Sequence, residues 1–367
     1  MPLPAQAPLD ILGLTRAGFE AAAGLGAGRS RALGALYKEA FATGRFGPES
    51  TGISAEAAAS LASRFRVGLL KPLRVVEEEG PLGVTAKALL ELGDGGTVEC
   101  VRIPVASGGA EAARAPSSPA TLCLSTQVGC RMGCAFCETG KRGLSRDLRA
   151  AEIVAELVTA RVLLGWNIRN LVFMGMGEPL DNFEELAAAL AVLLDPAGAA
   201  FSQERVTVCT VGLPEGIARL KALGLKRLNL SVSLNAPDDG IRSALMPANR
   251  GAGLDRLAEA LAAYPQRRNF ALAVNYCLIP GLNDGPGAPE GVAAFLAKAA
   301  PPGRALVNLI PYNPGSEPLG PAPTEAEVEA FEARLRALGV QVKLRAPRGR
   351  GLMAACGQLG GAEGGGE

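Results

Sequence analysis

Three thiols lie within the eight residues from Cys130 to Cys137 of the loop Gln127-Val-Gly-Cys130-Arg-Met-Gly-Cys134-Ala-Phe-Cys137. Gly129 and Gly133 let the backbone curl there. Thiolates favour soft metals, and a closed zinc site would need a distant fourth ligand, so a zinc knuckle or fortuitous thiols stand as the alternatives to an iron-sulfur site. Three cysteines on a [4Fe-4S] cluster leave one iron open, and that iron can chelate the amino and carboxylate groups of S-adenosylmethionine. A second feature, Gly175-Met-Gly-Glu178-Pro179, pairs close backbone approach with a carboxylate able to accept hydrogen bonds from the ammonium of a bound amino acid.

The chain contains no histidine, which excludes Ser-His triads, histidine bases and all His-ligated metals. Eight cysteines in a chain without a signal-peptide pattern or an apolar run long enough for a membrane span point to a reducing, cytoplasmic setting and to ligands or nucleophiles rather than disulfides. Net charge is only +1, so any attraction to nucleic acid must be local. Two basic runs flank the chemistry: Lys141, Arg142, Arg146 and Arg149 after the thiol loop, and Lys343, Arg345, Arg348 and Arg350 before Cys356.

The elements that must position these residues follow from periodicity. Residues 1–72 show helical spacing and form a small accessory domain, expected to bind RNA. Alternation around Gly93-Asp-Gly-Gly marks a β-hairpin extension over 73–105, and the Ser, Ala, Gly and Pro of 106–120 a flexible loop. From 121 to 358 short apolar runs alternate with amphipathic helices. Strands are expected at Leu122 to Ser125, Asn170 to Met174, Arg205 to Thr210, Arg227 to Ser233, Ala271 to Ile279, Ala305 to Ile310 and Val340 to Leu344. Strict alternation implies parallel strands with crossover helices, an α/β fold. No Gly-x-Gly-x-x-Gly opens the first crossover, which favours a partial (β/α) barrel with its chemistry at the strand C-termini. A tail over 359–367 reads as disordered.

In order along the chain, Cys130-x3-Cys134-x2-Cys137, the Gly-Glu-Pro turn, Ser231-Val-Ser233-Leu-Asn-Ala-Pro, Leu309-Ile-Pro-Tyr-Asn313-Pro and Ala354-Ala-Cys356-Gly-Gln-Leu resemble the RlmN/Cfr family of radical S-adenosylmethionine RNA methyltransferases. The resemblance runs from about residue 30 to residue 360. It implies a [4Fe-4S] cluster on Cys130, Cys134 and Cys137, with two molecules of S-adenosylmethionine used per turnover. One methylates Cys356. The other yields a deoxyadenosyl radical that takes hydrogen from the S-methyl group, so that the carbon radical adds to an adenine ring carbon. Cys123 then attacks Cys356 and frees the methylated base through a transient disulfide.

The same resemblance makes Glu99 a proton acceptor or adenine contact, and places Gly177, Glu178, Cys209, Ser233, Asn235 and Asn313 around the cosubstrate. Cys209 stands where the family has Ser and Asn235 where it has His; both retain hydrogen-bonding capacity. The stretch after Arg348 lacks the acidic residues common in RlmN. The implied substrate is adenine C2 in structured 23S rRNA, with tRNA as a further target, and a base buried in folded RNA must be extruded to react. A paralogue acting on C8 or on another RNA, and an iron-sulfur RNA-binding protein without turnover, are the alternatives. A flavodoxin- or ferredoxin-type electron donor, a monomeric state and no membrane partner complete the expectation.

Overall fold

The computed structural model describes residues 7–25, 29–105, 118–265, 272–345 and 351–360. The chain opens with β1 (Leu9–Asp10), α1 (Arg16–Ala23), α2 (Ser30–Thr43), α3 (Ala55–Arg64) and β2 (Phe65–Arg66), the two short strands pairing in parallel. Thr15 and Ser54 cap α1 and α3 by accepting from the backbone N–H groups of Gly18 and Ala57. Gly24 and Gly44 end α1 and α2 in the left-handed conformation. Phe19, Tyr37, Phe41 and Phe65 are buried and belong to one continuous apolar core with the helices that follow.

Three strands come next, β3 (Lys71–Gly80), β4 (Gly83–Glu91) and β5 (Thr97–Pro104), running antiparallel to their neighbours. Then follow β6 (Ala120–Cys123), the short pair β7 (Gln127–Gly129) and β8 (Leu144–Asp147) around α4 (Glu138–Lys141), and α5 (Ala150–Val162). Strand and helix alternate from there: β9 (Ile168–Phe173), α6 (Phe183–Leu193), β10 (Val206–Thr210), α7 (Pro214–Ala222), β11 (Asn229–Ser233), α8 (Asp239–Leu245), α9 (Gly253–Ala262), β12 (Leu272–Leu278), α10 (Ala288–Ala299), β13 (Ala305–Pro311), α11 (Glu325–Ala337) and β14 (Gln341–Leu344).

These strands form one ten-stranded sheet in the order β14-β13-β12-β11-β10-β9-β6-β5-β4-β3. The strands from β14 to β6 are mutually parallel, whereas β5, β4 and β3 extend the sheet antiparallel. The partial barrel and its strands match the sequence expectation to within a residue or two at most ends. Strands β14 and β3 are the two free edges, so the barrel has an open seam. Residues 106–117 of the expected loop and 361–367 of the expected tail lie outside the described residues.

Alternation along the strands sorts the side chains. Val208, Leu230, Val232, Val274, Tyr276, Val307, Leu309 and Val342 are buried in the apolar core. The other face is polar and hydrogen-bonded across the strands. Asn275 Oδ1 accepts from Ser231 Oγ at 3.1 Å and Asn308 Nδ2 at 2.9 Å, while Asn275 Nδ2 reaches Cys209 Sγ at 3.2 Å. No helix among the described residues is long and apolar enough to cross a membrane.

Candidate active site

The thiol loop is shaped by glycine. At Gly129 φ is +80°, and an added Cβ would lie 1.9 Å from the Gly143 carbonyl oxygen. The close pairing of β7 with β8 therefore requires glycine, and Cys130 N–H donates to that same carbonyl at 2.9 Å. A turn closes from Cys137 N–H to the Cys134 carbonyl at 3.0 Å, and Ala135 N–H donates to the Leu245 carbonyl at the end of α8 at 2.9 Å. Burial raises the Cys130 thiol to about 12 and pushes the Cys134 and Cys137 thiols up as well, and Cys130 and Cys134 each sit close enough to Cys137 to be raised further by its charge.

Against this loop lies the turn after β9. A Cβ on Gly175 would meet the Leu124 carbonyl group at 2.6 Å, and one on Gly177, where φ is +99°, would meet Gln127 Cβ at 2.6 Å. Glu178 is buried: its N–H donates to Gln127 Oε1 at 2.8 Å, and its carboxylate accepts from the N–H groups of Leu180 at 3.0 Å and Val211 at 2.8 Å. Burial still raises its acid to about 7 against those bonds. Cys209 is buried beside Glu178, and burial first, the Glu178 charge second, push its thiol to about 12. Ser233 ends β11, and Asn313 is buried just after β13.

Asn235 adopts the left-handed conformation (φ +56°), which asparagine tolerates better than most residues. Its carboxamide is engaged within the protein: Oδ1 accepts from Cys277 N–H at 2.8 Å and Nδ2 donates to Met246 Sδ at 3.3 Å. It thereby fixes the path of the chain leaving β11.

Cys123 ends β6, buried on the face it shares with Glu99 of β5. Burial raises its thiol well above the ordinary range, and the charge of Cys356 raises it further. Cys356 itself is open to solvent but walled closely enough that desolvation raises its thiol, opposed by the Arg345 guanidinium. The segment carrying it, 351–360, is tied on three sides. From the thiol loop, Glu138 N–H donates to the Gly357 carbonyl at 2.8 Å and Thr139 Oγ1 to the Leu359 carbonyl at 2.6 Å. Gln358 Nε2 donates to the Pro314 carbonyl at 2.9 Å. From the sheet extension, Glu99 Oε2 accepts from Gly360 N–H at 2.8 Å, and Glu78 Oε2 from Gly351 N–H at 2.9 Å.

Four residues that sequence reasoning passed over also belong here. Arg242 on α8 is buried, with Nε donating to the Leu234 carbonyl at 3.0 Å and Nη2 to the Ser233 carbonyl at 3.0 Å and the Val211 carbonyl. It pins the ends of β10 and β11 together. Burial lowers it to about 10, and its charge in turn lowers the nearby Cys134 thiol. Glu156 of α5 is fully buried and accepts from Ser125 N–H at 3.1 and 3.2 Å, and burial holds its acid far above the usual range. Ser125 Oγ joins the loops by donating to the Glu99 carbonyl and accepting from Met176 N–H, both at 2.9 Å. Lys87 of β4 pairs with Glu99. An Arg in Asp238-Asp-Gly-Ile-Arg or a lone strand Lys reads as a solvated charge until its distant partners are known.

The first basic run is partly neutralised. Lys141 bonds Glu138, Arg146 bonds Asp94 and Glu152, and Arg149 bonds Glu152. Of the second run, Arg348 and Arg350 lie outside the described residues.

Residues 124–286 match the Radical SAM superfamily. A "Dual-specificity RNA methyltransferase RlmN" of Sorangium cellulosum is 41% identical over 317 residues, covering 79% of each chain. A "Probable dual-specificity RNA methyltransferase RlmN 1" of Protochlamydia amoebophila is 39% identical over 281 residues, 77% of this chain and 74% of that one. The chain belongs to the RlmN family of radical SAM RNA methyltransferases. The crystal structure of a radical SAM methyltransferase from Sphaerobacter thermophilus superposes on it with a TM-score of 0.80 at 33% identity, over 96% of this chain and 99% of that one.

Membership of the radical SAM superfamily implies a [4Fe-4S] cluster and S-adenosylmethionine. The donor set is compatible with that group. Cys130, Cys134 and Cys137 are three soft thiol donors on one loop, within the range over which their charges interact.

Proposed function

We propose that this RlmN-family enzyme methylates C2 of an adenine in 23S rRNA and in tRNA through an S-methylcysteine on Cys356. The observation that supports this is that Cys356, on a segment tied to the thiol loop, lies near enough to Cys123 at the end of β6 for its charge to raise the Cys123 thiol. An RNA-binding iron-sulfur protein needs neither.

Cys130, Cys134 and Cys137 would hold the cluster, with Gly177, Glu178, Cys209, Ser233, Asn235 and Asn313 shaping the cosubstrate pocket. When bound, the cluster supplies the electron, delivered by a flavodoxin- or ferredoxin-type donor, that cleaves one S-adenosylmethionine to a radical able to take hydrogen from an S-methyl group. Before that, the Cys356 thiolate displaces the methyl carbon from another S-adenosylmethionine: a carbon–sulfur bond forms, the sulfonium bond breaks and S-adenosylhomocysteine leaves. Cys356 thereafter carries the carbon that joins the adenine ring. Glu99 accepts the ring proton, and the one electron that the radical adduct must shed as aromaticity returns would go back to the cluster when it is bound. Cys123, as thiolate, attacks the Cys356 sulfur; the disulfide forms, the sulfur–carbon bond to the base breaks, and that carbon takes a proton to become methyl. Arg345 favours the Cys356 thiolate through its charge.

Mass spectrometry of rRNA and tRNA nucleosides from a strain lacking the gene tests the assignment. Loss of 2-methyladenosine from both RNAs is expected; its persistence, with loss of a different methylated nucleoside, would refute it.

A further inference from the structure

Lys87 and Glu99 form an ion pair at 3.1 Å whose side chains are only 9% and 7% exposed. Desolvating two charges costs several kcal/mol per ion, so such a pair is weak evidence of stabilisation and asks for another reason to be there. The β4–β5 register places Leu89 opposite Glu99 and Lys87 opposite Val101, which sets the two charges one alternation apart on the face shared with Cys123.

Their remaining bonds converge on one object. Lys87 Nζ also reaches the Met353 carbonyl at 3.4 Å, and Glu99 Oε2 takes the Gly360 N–H at 2.8 Å. Met353 and Gly360 bracket Cys356. The pair is thus a two-pronged clasp, one prong on each side of the exposed thiol, facing the bonds that Glu138 and Thr139 make from the thiol loop. Both flanking residues have positive φ, +51° at Met353 and +78° at Gly360, so the stretch between them is a bent arch with its ends held.

We propose that Lys87 is a positioning residue for the sulfur chemistry, latching residues 353–360 together with Glu99 so that Cys356 faces the thiol loop and the cosubstrate. The inference rests on the reading of Cys356 as methyl acceptor. It assigns Glu99 a task before RNA arrives, distinct from accepting a ring proton.

The test uses reconstituted enzyme without RNA and S-adenosylmethionine bearing a trideuteromethyl group, following label on the Cys356 peptide by mass spectrometry. Misplacing reacting atoms by an ångström is a hundredfold matter, so Lys87→Met is expected to slow Cys356 methylation by about tenfold or more. Lys87→Arg, which restores both the charge and the donors, is expected to return most of the rate. Iron content stays near wild type in both, melting temperature falls in Lys87→Met, where Glu99 loses its partner, and is largely restored in Lys87→Arg, and iodoacetamide alkylates Cys356 faster in Lys87→Met. Wild-type labelling and alkylation in Lys87→Met would overturn the latch, as would Lys87→Arg being as slow as Lys87→Met with iron intact. Should Lys87→Met fail to fold, Glu99→Gln is expected to show the same slowing, since no ring proton is moved without RNA; a wild-type rate there would overturn the latch too. Wild-type enzyme that never labels Cys356 would instead refute the methyl-acceptor reading, and the latch with it.

Discussion

At the scale of single residues, the buried acids and thiols carry the most direct consequences. Glu178 has its acid raised to about 7 by burial, above its ordinary 4.5. The folded state therefore binds more protons than the unfolded chain between those values, and stability falls as pH rises through that window. Glu178→Gln in the cluster-free protein should flatten this slope, gaining on the order of 3 kcal/mol relative to wild type at pH 8 and little at pH 4, as read by urea unfolding at several pH values. Cys130→Ala removes one of three thiols for the cluster and should abolish both the iron-sulfur absorbance and deoxyadenosine formation. Retained iron and cleavage would refute the ligand assignment. Cys123→Ala should leave RNA covalently attached through Cys356, visible as a denaturant-stable complex; active enzyme without any adduct would remove Cys123 from the mechanism.

At the scale of elements, the loops at the strand C-termini are held by a few residues each. The thiols and strands were legible in the sequence because their signals are local: ligand spacing and apolar alternation are both written within about ten residues. The supports were not. Arg242 meets the Val211, Ser233 and Leu234 carbonyls, and Lys87 meets Glu99 and Met353, through pairings that only topology creates. Asn235 was readable as a polar residue near the cosubstrate, but not as the brace against Cys277 that its left-handed backbone makes it. Gly129 gives the sharpest prediction at this scale. Gly129→Ala sets a methyl group 1.9 Å from the Gly143 oxygen, so β7 and β8 cannot pair as they do. Iron bound per chain should fall sharply after reconstitution while the far-UV circular dichroism of the barrel persists.

At the scale of the whole molecule, the sheet is an open barrel with β14 and β3 at its edges, and the segment bearing Cys356 is tied to Glu78 of β3 at one end and to the thiol loop at the other. One large apolar cluster runs through most of the molecule, with a second, small one of Cys134, Leu245, Met246, Ile279 and Tyr312. Phe19, Tyr37 and Phe65 of the N-terminal elements belong to the same buried cluster as Leu186 of α6 and Val208 of β10. Tyr37 also donates to the Leu14 carbonyl at 2.9 Å and to Asp195 after α6 at 3.3 Å. Continuity of that kind makes the molecule one cooperative body, for which calorimetry should record a single transition. Catalytic capacity then becomes a matter of population. Phe19→Ala, a substitution far from every thiol in the sequence, should cost about 3–5 kcal/mol of folding free energy. It would reduce the number of working enzymes at growth temperature and leave each surviving one turning over at the wild-type rate.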